Sequence, residues 1–227
     1  MDGLLWYDFG TGAQAFSTYR DAVLPYRVVQ PHQTHGCTVV QVTDPDTSRE
    51  DLEGVDALVT DVPGLAIGVR TADCIPVLLY DPVRKAVAAV HAGWRGTVGH
   101  ISSKAIDTMV RLYGTRPEDL KAVIGPGIGP DSFQVGQEVA DSFLDAGFPA
   151  CLIADCGPKG AGMSGGLHID LWRANAWLLE EAGVRDIHTA GICTYSHNDM
   201  FFSARREGMK CGRIINAIRL TAGTEGR

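Results

Sequence analysis

One stretch limits the possible folds of this chain more than any other: Thr71–His91, two apolar arms about an Asp81-Pro82 turn. Apolar runs of this length bounded by turn residues are the pattern of buried strands. Asp-Pro is a turn former, so the segment predicts an antiparallel hairpin with arms Ile75–Tyr80 and Ala86–Val90. Pairing Tyr80 with Lys85 across a four-residue loop sets Ile75 opposite Val90 and Cys74 opposite His91. Facing residues on antiparallel strands have Cβ atoms about 4.5–5.5 Å apart. That is close enough for both side chains to bind one metal ion, or for the imidazole to take the thiol proton. A slip of one residue would send the two to opposite faces.

Further strands are expected at Cys37–Val42, Ala57–Thr60, Leu65–Arg70, Lys121–Ile124 and Asp186–Gly191, with Arg213–Ile218 closing the sheet. Helical periodicity marks Val98–Tyr113, stopped by Gly114, and Gln137–Ala146, stopped by Gly147. Asp170 is a suitable N-cap for Leu171–Ala182, which Gly183 ends. Strands and helices mix without strict alternation, which predicts an α+β fold of mixed β-sheet layers flanked by helices. The 227 residues read as a single catalytic domain over 1–227. The glycine-rich stretch Cys156–Gly166 reads as a surface loop.

Composition narrows the function classes. The formal net charge is −7 and the basic residues are scattered, which argues against nucleic-acid binding. No run approaches the roughly 20 apolar residues of a membrane helix, and the N-terminus lacks the pattern of a signal peptide, so no membrane association and a cytoplasmic location are expected. The six cysteines include no Cys-x-x-Cys pair, so they are expected as free thiols and any metal site must be assembled from distant segments.

Around the hairpin, Gly93-Trp94-Arg95-Gly96 follows His91 and leads into a helix, offering backbone N–H groups and the Arg95 charge to an oxyanion or phosphate. His32 and His35, in His32-Gln33-Thr34-His35-Gly36, are equally eligible as a third member by spacing alone. Phe201-Phe202-Ser203-Ala204-Arg205-Arg206 sets aromatics beside two arginines: either an exposed charged turn, or Phe202 stacking a base while Arg205 or Arg206 binds phosphate. Gly125-Pro126-Gly127-Ile128-Gly129-Pro130 is a rigid loop that brings backbone close to a substrate or to a neighbouring strand; its spacing is not the dinucleotide fingerprint.

Taken in order, these segments resemble the family named variously as polyphenol oxidase (laccase-like), peptidoglycan-editing factor and purine nucleoside phosphorylase. The resemblance rests on Gln33-Thr34-His35-Gly36, Asp56-Ala57-Leu58-Val59-Thr60, Thr71-Ala72-Asp73-Cys74 and His91-Ala92-Gly93-Trp94-Arg95-Gly96-Thr97. The Gly125–Pro130 loop, Val135-Gly136-x-Glu138-Val139, Asp170-Leu171 with Ala174-Asn175, Cys193-Thr194, Phe201-Phe202-Ser203 with Arg205-Arg206, and Gly212-Arg213 continue it, so it spans about residues 30–220. It implies β-sheet layered with helices and a metal centre, usually zinc, with ligands matching His35, Cys74 and His91; this selects His35 over His32. It also implies phosphorolysis of purine nucleosides or deamination of adenosine, so the expected partners are a small-molecule nucleoside and phosphate. The chain departs from the family in a shortened N-terminal region, only Tyr19–His32 before the Gln-x-His-Gly motif, and in Asp131 and Ser132 where cysteines are common.

Two imidazoles and one thiolate match catalytic zinc with an open fourth position. In that scheme Asp73 shuttles protons and Arg95, Arg205 or Arg206 orients phosphate. The alternatives are a copper-dependent polyphenol oxidase, a metal-free Cys74–His91 hydrolase acting on peptidoglycan precursors, and a non-enzymatic binding module. A multicopper centre needs many imidazoles, and seven histidines without a His-x-His pair supply them poorly.

Overall fold

The computed structural model describes residues 3–154 and 166–221. All of the Cys156–Gly166 stretch except Gly166 lies outside the described residues. Among the described residues there are twelve strands: β1 (Leu4–Tyr7), β2 (Ala13–Thr18), β3 (Val39–Gln41), β4 (Ala57–Thr60), β5 (Ala66–Thr71), β6 (Ile75–Asp81), β7 (Ala86–Ala92), β8 (Lys121–Ile124), β9 (Gln134–Val135), β10 (Leu167–His168), β11 (Asp186–Thr189) and β12 (Ile214–Leu220). The α-helices are α1 (Trp94–Val98), α2 (Ile101–Tyr113), α3 (Gln137–Asp145), α4 (Ala150–Ala154), α5 (Leu171–Glu181) and α6 (Ala204–Glu207). No helix among the described residues is long and apolar enough to cross a membrane.

The fold is α+β and is built in layers. A six-stranded sheet runs β11-β8-β6-β7-β4-β3, parallel at its two ends and antiparallel between. A four-stranded antiparallel sheet runs β1-β2-β12-β5. Every residue of β6 and β7 is buried, because both faces of the central sheet are covered, and this is why their sequences show no apolar–polar alternation. Period two persists in what each side chain meets. Ile75, Val77, Leu79, Ala86, Ala88 and Val90 pack with α2, α3 and α5, while Leu78, Tyr80, Val87 and Ala89 pack against β2, β5 and β12.

Three expectations are corrected. The hairpin pairs Asp81 with Ala86 and Pro76 with His91, so the turn lies one residue later than the Tyr80–Lys85 pairing predicts. Asp81 explains the shift: its Oδ1 accepts from the N–H groups of Val83 and Arg84, an Asx-type turn that keeps Asp81 itself in the strand. Lys85 closes the turn with φ at 54°. Moving a turn by one residue changes each pairing by two, so Cys74 and His91 still project from one face, as diagonal rather than directly opposed neighbours.

The helix expected over Val98–Tyr113 begins later, as α2 at Ile101, and Val98 instead ends the separate short helix α1. Gly99 and His100 interrupt them; His100 has φ of 59°. A Cβ at Gly99 would sit 2.3 Å from Cys37 Sγ, so the chain bends where only glycine can pass that sulfur. Strand β12 does not close the six-stranded sheet; it lies between β2 and β5 in the other one. Strands β1 and β2 were not expected.

Candidate metal centre

His91 is set by its neighbours in the central sheet. The β4–β7 register that places Ala57 against Val90 brings Asp56 level with His91, and the His91 N–H donates to the Asp56 carbonyl at 2.8 Å. The side chains meet as well, with His91 Nδ1 2.7 Å from Asp56 Oδ1. Asp56 is fully buried and His91 is 3% exposed, so an unpartnered carboxylate there would be very costly. It has partners in abundance: Oδ1 also accepts from His35 N–H at 3.0 Å, and Oδ2 accepts from Gly36 N–H at 2.7 Å and Thr34 N–H at 3.2 Å. Burial would push the Asp56 carboxyl up, but the His91 ring and these backbone donors hold it below its ordinary range.

This one carboxylate therefore does two jobs. With Asp56 accepting at Nδ1, the His91 proton sits on that nitrogen and Nε2 is left to face the cluster. The same carboxylate gathers the three amides that fold residues 34–36 around it. His35 has φ of 63°, a left-handed conformation that a non-glycine residue keeps only when its surroundings impose it; the grip on Asp56 imposes it.

Cys74 lies just before β6. Extending the β6–β7 register past Ile75–Ala92 sets Gly93 against it. A Cβ on Gly93 would lie 3.0 Å from Cys74 Sγ and 3.3 Å from His35 Cδ2, so glycine is what allows thiol and imidazole to close over this point. The position of Gly93 is tied from behind: the Thr97 hydroxyl donates to the Gly93 carbonyl at 3.0 Å, and Asn175 Nδ2 donates to that hydroxyl at 3.0 Å.

One potential ligand atom each from His35, Cys74 and His91 lies within 4.8 Å of the others, and among the described residues this is the only such group of three or more. The His35 and His91 rings meet edge to face, 4.9 Å apart. Burial would push the Cys74 thiol up, but the adjacent His91 charge and hydrogen bonds from His35 and His91 draw it well below its usual range. Burial would lower His91, yet Cys74 and Asp56 raise it. Each group thus favours the charged form of the other, the setting in which a cation held between the donors would be stabilised. Two imidazoles and a thiolate, one side open to a cavity, fit a site of three protein ligands with an open fourth position, for zinc or copper.

Two cavities meet at the cluster. One, of about 350 Å³, is lined by His35, Cys74 and His91 together with Arg49, Arg70 and Arg213. The other, of about 340 Å³, shares His35 and Cys74 and adds Asp73, Ile128, Phe133 and Arg205. Asp73, with φ of 84°, accepts from the Thr194 hydroxyl and from the Arg205 N–H, each at 2.6 Å, and so joins the Cys74 segment to the start of α6. The Gly125–Pro130 loop lies against backbone, as one of its two readings has it: Ile128 N–H donates to the Asp73 carbonyl at 2.8 Å, and a Cβ at Gly127 would strike Ile75.

The remaining sequence candidates are scattered. Arg95 is exposed and stacks on Trp94 at 4.3 Å, and it lines neither cavity. Arg206 bonds the Tyr195 carbonyl at 2.9 Å and also lines neither. Arg205 does border the second cavity, though its guanidinium already donates to the Ser132 and Gln134 carbonyls. Phe202 lies under Arg20 and against Gly212, where a Cβ would be 2.3 Å from the ring; it props the segment that carries Arg213. His32 pairs with Glu53 instead of joining the cluster. The sequence reading gave no site role to Asp56, Arg49, Arg70 or Arg213. For Asp56 a signal existed, an acidic residue opening the apolar strand that pairs with β7, and Arg213 stood in the Gly212-Arg213 piece of the resemblance; for Arg49 and Arg70 there was none.

Comparison with known proteins gives a consistent picture. Residues 14–221 match the family described as multi-copper polyphenol oxidoreductase laccase. A protein of Bacteroides thetaiotaomicron named purine nucleoside phosphorylase is 43% identical over 203 residues, covering 86% of this chain and 74% of that one. A protein from an unknown prokaryotic organism named adenosine deaminase RL5 is 41% identical over 199 residues, covering 84% and 74%. The solved structure of the Bacillus licheniformis hypothetical protein YfiH superposes with a TM-score of 0.86 at 27% identity, covering 97% of each chain.

Proposed function

This chain belongs to the multi-copper polyphenol oxidoreductase laccase family, and from that footing we propose that it is a zinc-dependent purine nucleoside enzyme. The reaction is phosphorolysis of adenosine- or inosine-type nucleosides, deamination of adenosine, or both. The observation that carries the reading is the His35–Cys74–His91 group: three donors braced by a buried carboxylate, open on the side where two cavities meet. The names of the relatives in Bacteroides and in the unknown prokaryote support the substrate class.

His35, Cys74 and His91 would hold the zinc, which would supply Lewis acidity at the reacting oxygen. The protein's part is positioning and proton traffic. Asp56 keeps the His91 proton on Nδ1 and so keeps Nε2 free as a ligand. Phe133 and Ile128 give the second cavity an apolar wall suited to a purine face. Asp73 borders that cavity, and each oxygen of an ionised carboxylate keeps a second lone pair beyond its protein partner, so Asp73 is the group to move a proton at the base. In phosphorolysis a phosphate oxygen bonds the ribose anomeric carbon as the bond to the purine nitrogen breaks; the electron pair leaves on the base, which takes a proton. In deamination water adds at C6 and the amino group leaves as ammonia.

The donor set also suits copper, and the family description keeps a copper-dependent polyphenol oxidase as the second reading. Only two imidazoles converge here among the described residues, which is too few for a multicopper centre. Incubation with adenosine and inosine, with and without phosphate, followed by chromatography decides the matter. Free base formed only with phosphate establishes phosphorolysis, and inosine formed from adenosine establishes deamination. Inertness toward both, with turnover of a phenolic dye, would transfer the assignment to the oxidase.

A further inference from the structure

We infer that Arg49, Arg70 and Arg213, in the wall of the first cavity, form a binding site for inorganic phosphate next to the three-donor cluster. The inference rests on the nucleoside-enzyme reading for its choice of anion. The three residues come from separate places: Arg49 precedes a turn of 3₁₀ helix, Arg70 lies in β5, and Arg213 leads into β12. All three line the same cavity as His35, Cys74 and His91.

Their pairing marks them out. Asp and Glu outnumber Lys and Arg in this protein, 27 to 20, so carboxylates are in excess. Yet none of the ion pairs among the described residues involves any of the three. Arg49 donates from Nε to the Pro31 carbonyl at 3.3 Å, and Arg213 donates to the carbonyls of Met209, Cys211 and Gly212. Those contacts orient the two guanidiniums without neutralising them. Arg70 has no side-chain partner among the described residues, while its backbone is clamped on both sides by the Gln33 amide, at 2.8 Å each way. Burial, with the positive charges of Arg49 and Arg213, pulls the Arg70 guanidinium below its ordinary value.

Three like charges converging on a half-buried site repel one another unless an anion sits among them. Guanidiniums are suited to a tetrahedral oxyanion because each offers a fork of N–H donors. The placement also divides the labour at the cluster, with phosphate on the arginine side and the purine on the side of Ile128 and Phe133. A nucleotide phosphate ester would satisfy the same donors, so the test separates the two sources.

Inorganic phosphate is titrated into the full-length, zinc-loaded protein by calorimetry without nucleoside, then into Arg70→Gln, Arg213→Gln and the charge-conserving Arg70→Lys. Losing one charge-assisted contact should weaken phosphate binding by about tenfold to a hundredfold. The KM for phosphate should rise to match, with the KM for nucleoside and the zinc content unchanged. Arg70→Lys should fall between wild type and Arg70→Gln, which guards against loss of fold. Unchanged phosphate binding in both glutamine variants would overturn the inference. So would methyl phosphate, an ester with no base to occupy the purine side, binding more than about a hundredfold tighter than phosphate through the same arginines, because the site would then read an ester. If the arginine variants lose phosphate but no nucleoside is turned over, the site stands and the nucleoside reading fails. If turnover needs phosphate but neither affinity nor KM responds to these variants, the reading stands and the site fails.

Discussion

The two sides of the cluster are built on different principles. On the ligand side, His91 and Asp56 stand on or beside paired strands, both buried, and every polar atom of the Asp56 carboxylate is engaged. On the cavity side, the lining residues come largely from turns and strand ends, and three guanidiniums stand without a carboxylate partner among the described residues. The first region is complete within the protein, and the second is completed by what it binds. A substitution on the ligand side should therefore disturb metal and fold together, whereas one on the cavity side should disturb substrate alone.

Asp56→Asn is the strongest way to break that contrast. The amide keeps the shape but loses the charge that holds His91 and the residue 34–36 amides. Metal affinity should fall about 10–100-fold, and stability should fall by about 3–5 kcal/mol as a buried ionic pair is broken. Metal titration and chemical denaturation measure the two effects, and a variant that lost neither would show the carboxylate to be incidental. Gly93→Ala should act more gently. The new methyl would press on Cys74 Sγ and the His35 ring, costing about 1–3 kcal/mol through overpacking and loosening metal retention. Unaltered metal affinity and stability would show that the cluster does not need this close approach. Arg95→Ala marks the lower end. This exposed side chain lines neither cavity, so stability should change by within about 0.5 kcal/mol and the KM for phosphate should not move. A rise in that KM would return Arg95 to the binding site.

The same contrast governs what could be read in advance. The apolar arms around Asp81-Pro82 sufficed to set Cys74 and His91 on one face, because strand parity survives a two-residue error in register. The error itself arose from a side chain: Asp81 captures two backbone N–H groups and moves the turn. Asp56 stayed hidden because its importance depends on β4 pairing with β7, a contact between strands far apart in sequence. The break between α1 and α2 depends on the Cys37 sulfur, equally remote. The arginine wall depends on three segments meeting, which no local spacing encodes. Arg95 and Arg206, by contrast, stood in suggestive motifs and point elsewhere, Arg95 because it stacks on its own neighbour Trp94 and Arg206 because it bonds the Tyr195 carbonyl.

The central claim is that His35, Cys74 and His91 together hold one zinc ion. The most direct test is metal analysis of the protein purified without added metal, compared with Cys74→Ala prepared in the same way. About one zinc per chain in the wild type, lost in a Cys74→Ala variant that still folds, is the predicted result. Copper in the wild type, or zinc retained at the same stoichiometry without the Cys74 thiolate, would contradict it.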